Sequence, residues 1–242
     1  MNAIELYNDI HEYCISHADE KLVVKYSRYF KEGEYNAWGL TREQMESKRK
    51  ELLHRGVLSV DLIFQTAPLL MKEDKYEETS FVITLLGCFP DQFSRETFER
   101  LQEWFEYSIT NWAHADTLGM FLLPLFLKKK AITENDFIPW ISSPYKFKRR
   151  CVPVTFIKSL QNFPLEEMLK IIEPLMQDNE RVVHQGVGWF LRESWKKFPE
   201  QIEDYLLKYK DTSPRLIFQY ACEKMTPENK ARFKKPQIRK GI

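Results

Sequence analysis

Residues 163–200 read FPLEEMLKIIEPLMQDNERVVHQGVGWFLRESWKKFPE. Leu165, Met168, Leu169 and Ile172 recur at i, i+3, i+4 and i+7, and Leu175 continues the series. That spacing lines one face of an α-helix. A Phe-Pro pair stands at each end, Phe163-Pro164 and Phe198-Pro199, 35 residues apart. Proline suits the first turn of a helix, because the N–H it lacks has no partner there anyway. A third such mark, Phe89-Pro90-Asp91, lies 74 residues before Pro164, or twice 37. A unit of 35–40 residues holding two helices is the signature of an α-solenoid. The expected fold is therefore all-α, a solenoid of HEAT-like helical repeats with a concave groove.

The same periodicity runs outward in both directions. It predicts helices over 3–17, 20–32, 42–54, 58–71, 76–88, 94–109, 113–128, 133–142, 146–161, 165–177, 180–197, 200–209, 213–224 and 227–234. Pro153 is expected to kink or delay the helix at 146–161. Strand-like alternation comes nearest at Val152, Val154 and Phe156, with Pro153 among them. One domain over residues 1–242 is expected, with a frayed basic tail at 234–242.

Composition narrows the chemistry. Hydrophobic residues are 43% of the 242 and aromatics 14%, which fits a packed core. Only 8 glycines are present, too few for a protein that cradles phosphates in Gly-rich turns. Lys+Arg total 36 against 35 Asp+Glu, so any footprint for nucleic acid must be local. Two basic runs are candidates: Lys128 to Lys130, and Lys146, Lys148, Arg149 and Arg150. Met1 leads straight into an amphipathic segment, so no secretory leader is expected, and the apolar run Met120 to Leu127 is too short to span a bilayer. Cys14, Cys88, Cys151 and Cys222 form no CxxC pair and are expected to be free thiols in a cytoplasmic protein. The histidines His11, His17, His54, His114 and His184 form no HExxH and no His/Cys cluster. No metal and no cofactor are expected.

Three segments stand about one repeat apart. The first is Asn111-Trp112-Ala113-His114-Ala115-Asp116, where Trp112 and Asp116 are four positions apart and share a helix face. The second is Phe147-Lys148-Arg149-Arg150-Cys151-Val152. The third is Gly186-Val187-Gly188-Trp189-Phe190-Leu191-Arg192-Glu193, whose glycines suit close helix packing. Singly, each has a structural reading: a core tryptophan, a carboxylate complementing a helix dipole, a solvated basic face. Jointly, equivalent positions in successive repeats are expected to line one surface, which would bring Trp112, Asp116, Arg150 and Trp189 to one cleft with both tryptophans partly exposed.

On these segments the chain resembles the bacterial DNA alkylation repair glycosylases built of HEAT-like repeats, the AlkD-like family. The resemblance runs from about residue 20 to 225. It rests on the W-x-x-x-D of Trp112 to Asp116, on Arg150-Cys151-Val152 and on the G-W-x-L-R-E of Gly188 to Glu193, with a fainter match at Trp38-Gly39-Leu40-Thr41. The sequence departs from the family pattern at Ala113, His114 and Phe147. The resemblance implies a DNA N-glycosylase excising cationic alkylated purines. Asp116 would be the catalytic carboxylate, Trp112 and Trp189 the cleft walls, Arg150 the phosphate contact, and Lys148 and Arg149 would meet the DNA backbone. The implied partner is double-stranded DNA with alkylated bases, met by a monomer away from membranes. A non-catalytic DNA-binding protein and a protein-interaction scaffold are the alternatives.

Overall fold

Polar side chains ahead of apolar runs start the helices. Asn2, Thr41 and Ser94 each accept a hydrogen bond from the backbone N–H three residues on, while that residue's side chain reaches back to the cap. These reciprocal bonds satisfy N–H groups that an isolated helix end leaves without partners. Pro164 and Pro199 stand at helix starts, as their fixed φ favours. A computed structural model describes residues 1–31 and 34–234. The described residues contain helices and no strand. The expected tail from residue 235 onward lies outside them.

The chain separates into two compact units, Met1–Thr133 and Glu134–Ile242. The first holds α1 (Ala3–Ser16), α2 (Glu20–Ser27), α3 (Arg42–His54), α4 (Val60–Met71), α5 (Tyr76–Leu86), α6 (Arg95–Gln102), α7 (Trp104–Tyr107), α8 (Trp112–Thr117) and α9 (Leu123–Lys128). Here α1 packs on α4, and α4 on α5. Their facing sides bury Leu6 and Ile10, then Ile63 and Leu70, then Phe81 and Leu86. Full burial of such a side chain contributes about 1.5–3 kcal/mol.

The second unit opens with a 3₁₀ segment, Glu134–Ser142, and continues as α10 (Lys146–Ser159), α11 (Leu165–Ile172), α12 (Arg181–Trp195), α13 (Pro199–Tyr209), α14 (Arg215–Ala221) and α15 (Pro227–Arg232). Helices α10, α12 and α14 lie side by side, each in contact with the next. Close approach of α12 to its neighbours depends on two glycines. A Cβ at Gly188 would stand 2.5 Å from Tyr220 Cβ and 2.8 Å from Ile217 O, and one at Gly186 would stand 3.2 Å from Arg150 Cγ.

The repeat is also written in the hydrogen bonds. In the first unit the Asp74, Asn36 and Trp38 contacts join residues 36 to 40 apart: Thr110 to Asp74, Asn36 to Glu73 O, and Trp38 to Glu78. In the second unit the separation is 35 or 36, as in Gln185 to Tyr220, Gln177 to Ser213 and Tyr205 to Leu169 O. Equivalent positions of successive repeats are therefore spatial neighbours within each unit, as a helical-repeat fold requires.

Proline explains most departures from the expected helices. Pro124 has no N–H for Met120 O, so the helix expected over 113–128 widens into a π-helical turn at Leu118–Leu122, where Leu123 N–H donates to Leu118 O five residues back. Pro174 likewise turns the end of the helix expected over 165–177 into a 3₁₀ turn, Glu173–Gln177. The helix expected over 133–142 is a 3₁₀ segment, Glu134–Ser142, that contains Pro139. Pro153 neither delays nor ends α10, which runs through it.

Candidate functional site

In the first unit the site begins with a cap. Asn111 holds an extended backbone, and its Oδ1 accepts from His114 N at 2.9 Å. This starts α8 at Trp112 and puts Asp116 one turn on, along the same face. Both are half-buried. By contrast Trp104 and Trp140 are 1% exposed and belong to the cores.

The indole of Trp112 is held at its edge and on one face. Nε1 donates to Tyr29 O at 3.2 Å, and the ring stacks on Phe30 with centroids 5.3 Å apart at 22°. Phe30 stacks in turn on Tyr35 at 4.5 Å, and Tyr76 packs against both. Tyr76 also stacks on His114, 4.7 Å away at 14°. The aromatic set Phe30, Tyr35 and Tyr76 was not singled out from the sequence. The only signal there was the aromatic-rich stretch Tyr26 to Phe30, which reads as an ordinary amphipathic helix end.

His114, a departure from the family pattern, is structural here. It is 1% exposed. Nε2–H donates to Tyr76 O at 3.0 Å, and Nδ1 accepts from Asn111 Nδ2 at 2.9 Å. Burial pushes its pKa down to about 4, against the hydrogen bond to Tyr76 O, which pulls upward. A neutral imidazole thus ties the first turn of α8 to the start of α5. The π-helical turn begins two residues after Asp116.

A second buried polar centre, also missed from the sequence, holds the Trp38-Gly39-Leu40 turn. Glu77, 1% exposed, accepts from the backbone N–H groups of Trp38, Gly39 and Leu40 at 2.8 to 3.1 Å. Glu78 accepts from Trp38 Nε1 and His11 Nδ1, both at 2.8 Å. Gly39 is required by its φ of +87° and because a Cβ would fall 2.2 Å from Asp19 O. The faint Trp-Gly-Leu-Thr match is thus a folding feature.

In the second unit α10 presents the expected basic residues unequally. Arg149 grips Asp178 with Nε at 2.6 Å and Nη2 at 3.2 Å, while Nη1 donates to Ser143 O at 2.7 Å. The two bonds to Asp178 clamp α10 to the segment before α12, and the third ties Arg149 to the turn ahead of α10. Arg150 is 6% exposed, and its Nη1 donates to Val182 O at 2.6 Å. Its stem lies where Gly186 leaves room on α12. Lys148 is half-buried with its ammonium 5.1 Å from the Trp140 ring. Trp189, half-buried, sits one turn past Gly186 on the same flank of α12. Arg192 and Glu193 of the same motif bind each other, with Arg192 also on Glu223 and Glu193 on Lys196.

Among the described residues no group of three or more His, Cys, Asp or Glu is placed to hold a metal, and no helix is long and apolar enough to cross a membrane. The four cysteines are free thiols.

Comparison with solved structures gives the fold. A predicted DNA alkylation repair enzyme from Enterococcus faecalis superimposes with a TM-score of 0.76 at 14% identity, covering 87% of this chain and 98% of the other. AlkD2 from Streptococcus mutans gives 0.57 at 20% identity over 84% and 97%. The protein smu.31 from Streptococcus mutans UA159 gives 0.57 at 21% identity over 76% and 92%. A comparison with curated proteins finds no match. The family profile described as DNA alkylation repair enzyme matches residues 11–225, which is nearly the whole chain, and the protein therefore belongs to that family.

Proposed function

We propose that the protein is a DNA N-glycosylase that excises cationic alkylated purines, of the N3-methyladenine or N7-methylguanine type, in base excision repair. Membership in a family of DNA alkylation repair enzymes gives the setting. The observation that carries the finer reading is the pair Trp112 and Asp116: two half-buried side chains on one face of α8, with the indole fixed at its edge and on one side.

The chemistry suits those groups. A positively charged purine is already a good leaving group. As the bond from C1′ to the base nitrogen breaks, its electron pair neutralises the base and the sugar becomes oxocarbenium-like. A carboxylate at Asp116 stabilises that charge and orients water for addition at C1′, and the water's proton is released to solvent. The Trp112 face attracts a cationic group, worth about 1–2 kcal/mol where partly desolvated. Trp189 takes the same wall role from α12. Arg150, whose Nη1 donates to Val182 O, is assigned to a phosphate. Lys148 and Arg149 are assigned to the DNA backbone, with Arg149 also held by Asp178.

Incubation of the protein with methylated duplex DNA tests the reading. Free N3-methyladenine or N7-methylguanine in the supernatant supports excision. Tight DNA binding with no released base means that the protein binds without catalysis.

A further inference from the structure

Helix α2 is unlike the other helices of the first unit in having no buried residue. Its inner side, Leu22, Val23 and Tyr26, is half-buried, and its outer side carries Lys21, Lys25 and Arg28. These three stand at i, i+4 and i+7, so they form one stripe along the helix. All three are exposed, as is Lys31 just beyond.

Several other cations of this unit are paired with carboxylates. Lys48 and Arg55 bind Asp9 and Glu51, Arg49 and Lys50 bind Glu46, Arg100 binds Asp61 and Lys129 binds Asp91. Among the described residues no carboxylate pairs with Lys21, Lys25, Arg28 or Lys31. Arg28 donates instead to Tyr29 Oη at 3.0 Å, and Lys25 lies 5.4 Å from the Tyr26 ring. In a chain of net charge +1, residues 21–31 hold four cations and no acidic residue, with Asp19 and Glu20 just before them, and so form a local positive stripe.

The stripe also touches the site already described. The two residues after Arg28 are the ones that hold Trp112: Tyr29 through its carbonyl and Phe30 through its ring. A strand gripped along α2 therefore runs beside the indole assigned to the altered nucleotide. We propose that Lys21, Lys25 and Arg28, with Lys31, are a phosphate-gripping surface that holds the DNA backbone next to Trp112. This rests on the DNA reading above and adds to it a surface outside the basic runs at 128–130 and 146–150.

The test is the salt dependence of binding to an unmodified duplex. Each phosphate contact contributes roughly 0.9 to the log–log slope of affinity against salt. The triple variant Lys21→Ala/Lys25→Ala/Arg28→Ala should lose up to about 2.7 from that slope, and Lys25→Gln alone about 0.9. Replacing three exposed cations elsewhere, Lys158, Lys170 and Lys197, by alanine should leave the slope unchanged. An equal slope in wild type and triple variant, with wild type binding DNA, overturns the stripe alone. A wild type that does not bind DNA overturns both this proposal and the reading beneath it. Capture by phosphatidylserine vesicles that the triple variant loses, while keeping its DNA slope, assigns the stripe to a lipid surface and overturns the proposal.

Discussion

Asp116 and His114 stand two residues apart on α8 and do different work. Asp116 is half-buried beside Trp112, whereas His114 is enclosed and neutral. The histidine makes stability depend on pH with a definite sign. Its pKa falls from 6.5 in the unfolded chain to about 4 in the fold. Between those values the unfolded state binds more protons, so stability is full above pH 6.5 and declines as pH falls towards 4. The decline is about 3 kcal/mol. Denaturant melts of wild type and His114→Gln at pH 7 and pH 4.5 should differ in this component, and an identical pH dependence in both would show that His114 does not titrate on unfolding. Trp189 supplies the second residue test. A fully buried tryptophan costs about 3–5 kcal/mol on truncation. Half-buried Trp189 should cost clearly less in Trp189→Ala, with excision reduced; a variant that simply unfolds makes the residue structural. The sequence made both tryptophans and the aspartate legible because they sit in a spaced motif. Phe30, which stacks on Trp112, and Tyr76, which stacks on His114, were not legible, since they lie 82 and 36 residues before Trp112 and carry no motif.

Among the elements, α12 shows how a motif and a fold coincide. Gly186 leaves room for Arg150 on α10, and Gly188 lets α12 meet α14 almost backbone to backbone. Both roles follow from small residues on opposite flanks of one helix, which the sequence pattern anticipates. Gly188→Ala must push a methyl group into Tyr220 Cβ and Ile217 O, at 2.5 and 2.8 Å. Overpacking of this kind costs about 1–3 kcal/mol. A lowered thermal midpoint is expected, and an unchanged one would mean that α14 shifts freely. Helix positions were read well because apolar spacing is strong throughout. What periodicity could not give is the way a helix continues past proline. Pro124 widens a turn, Pro174 tightens one and Pro153 is absorbed, depending on the carbonyls left to be satisfied and on the packing around them.

At the scale of the molecule, successive helix pairs repeat every 35–40 residues, and cross-repeat hydrogen bonds carry the same interval. The Phe-Pro marks had set that period from the sequence. They could not foresee which cations would be neutralised within the fold. Arg149 stands in a basic run, and its carboxylate partner Asp178 lies 29 residues on. Lys21, Lys25 and Arg28 drew no notice in the sequence, yet they are the cations left exposed beside Trp112. The central claim is that the Trp112–Asp116 face of α8 performs base excision. Its most direct measurement is single-turnover release of N3-methyladenine or N7-methylguanine from methylated duplex DNA by wild type and by Asp116→Asn, alongside the melting temperature and DNA affinity of each. Wild type should release base, and Asp116→Asn should melt and bind as wild type does while releasing base at least about tenfold more slowly, a barrier rise of ~1.4 kcal/mol or more. Equal rates in the two proteins would contradict it.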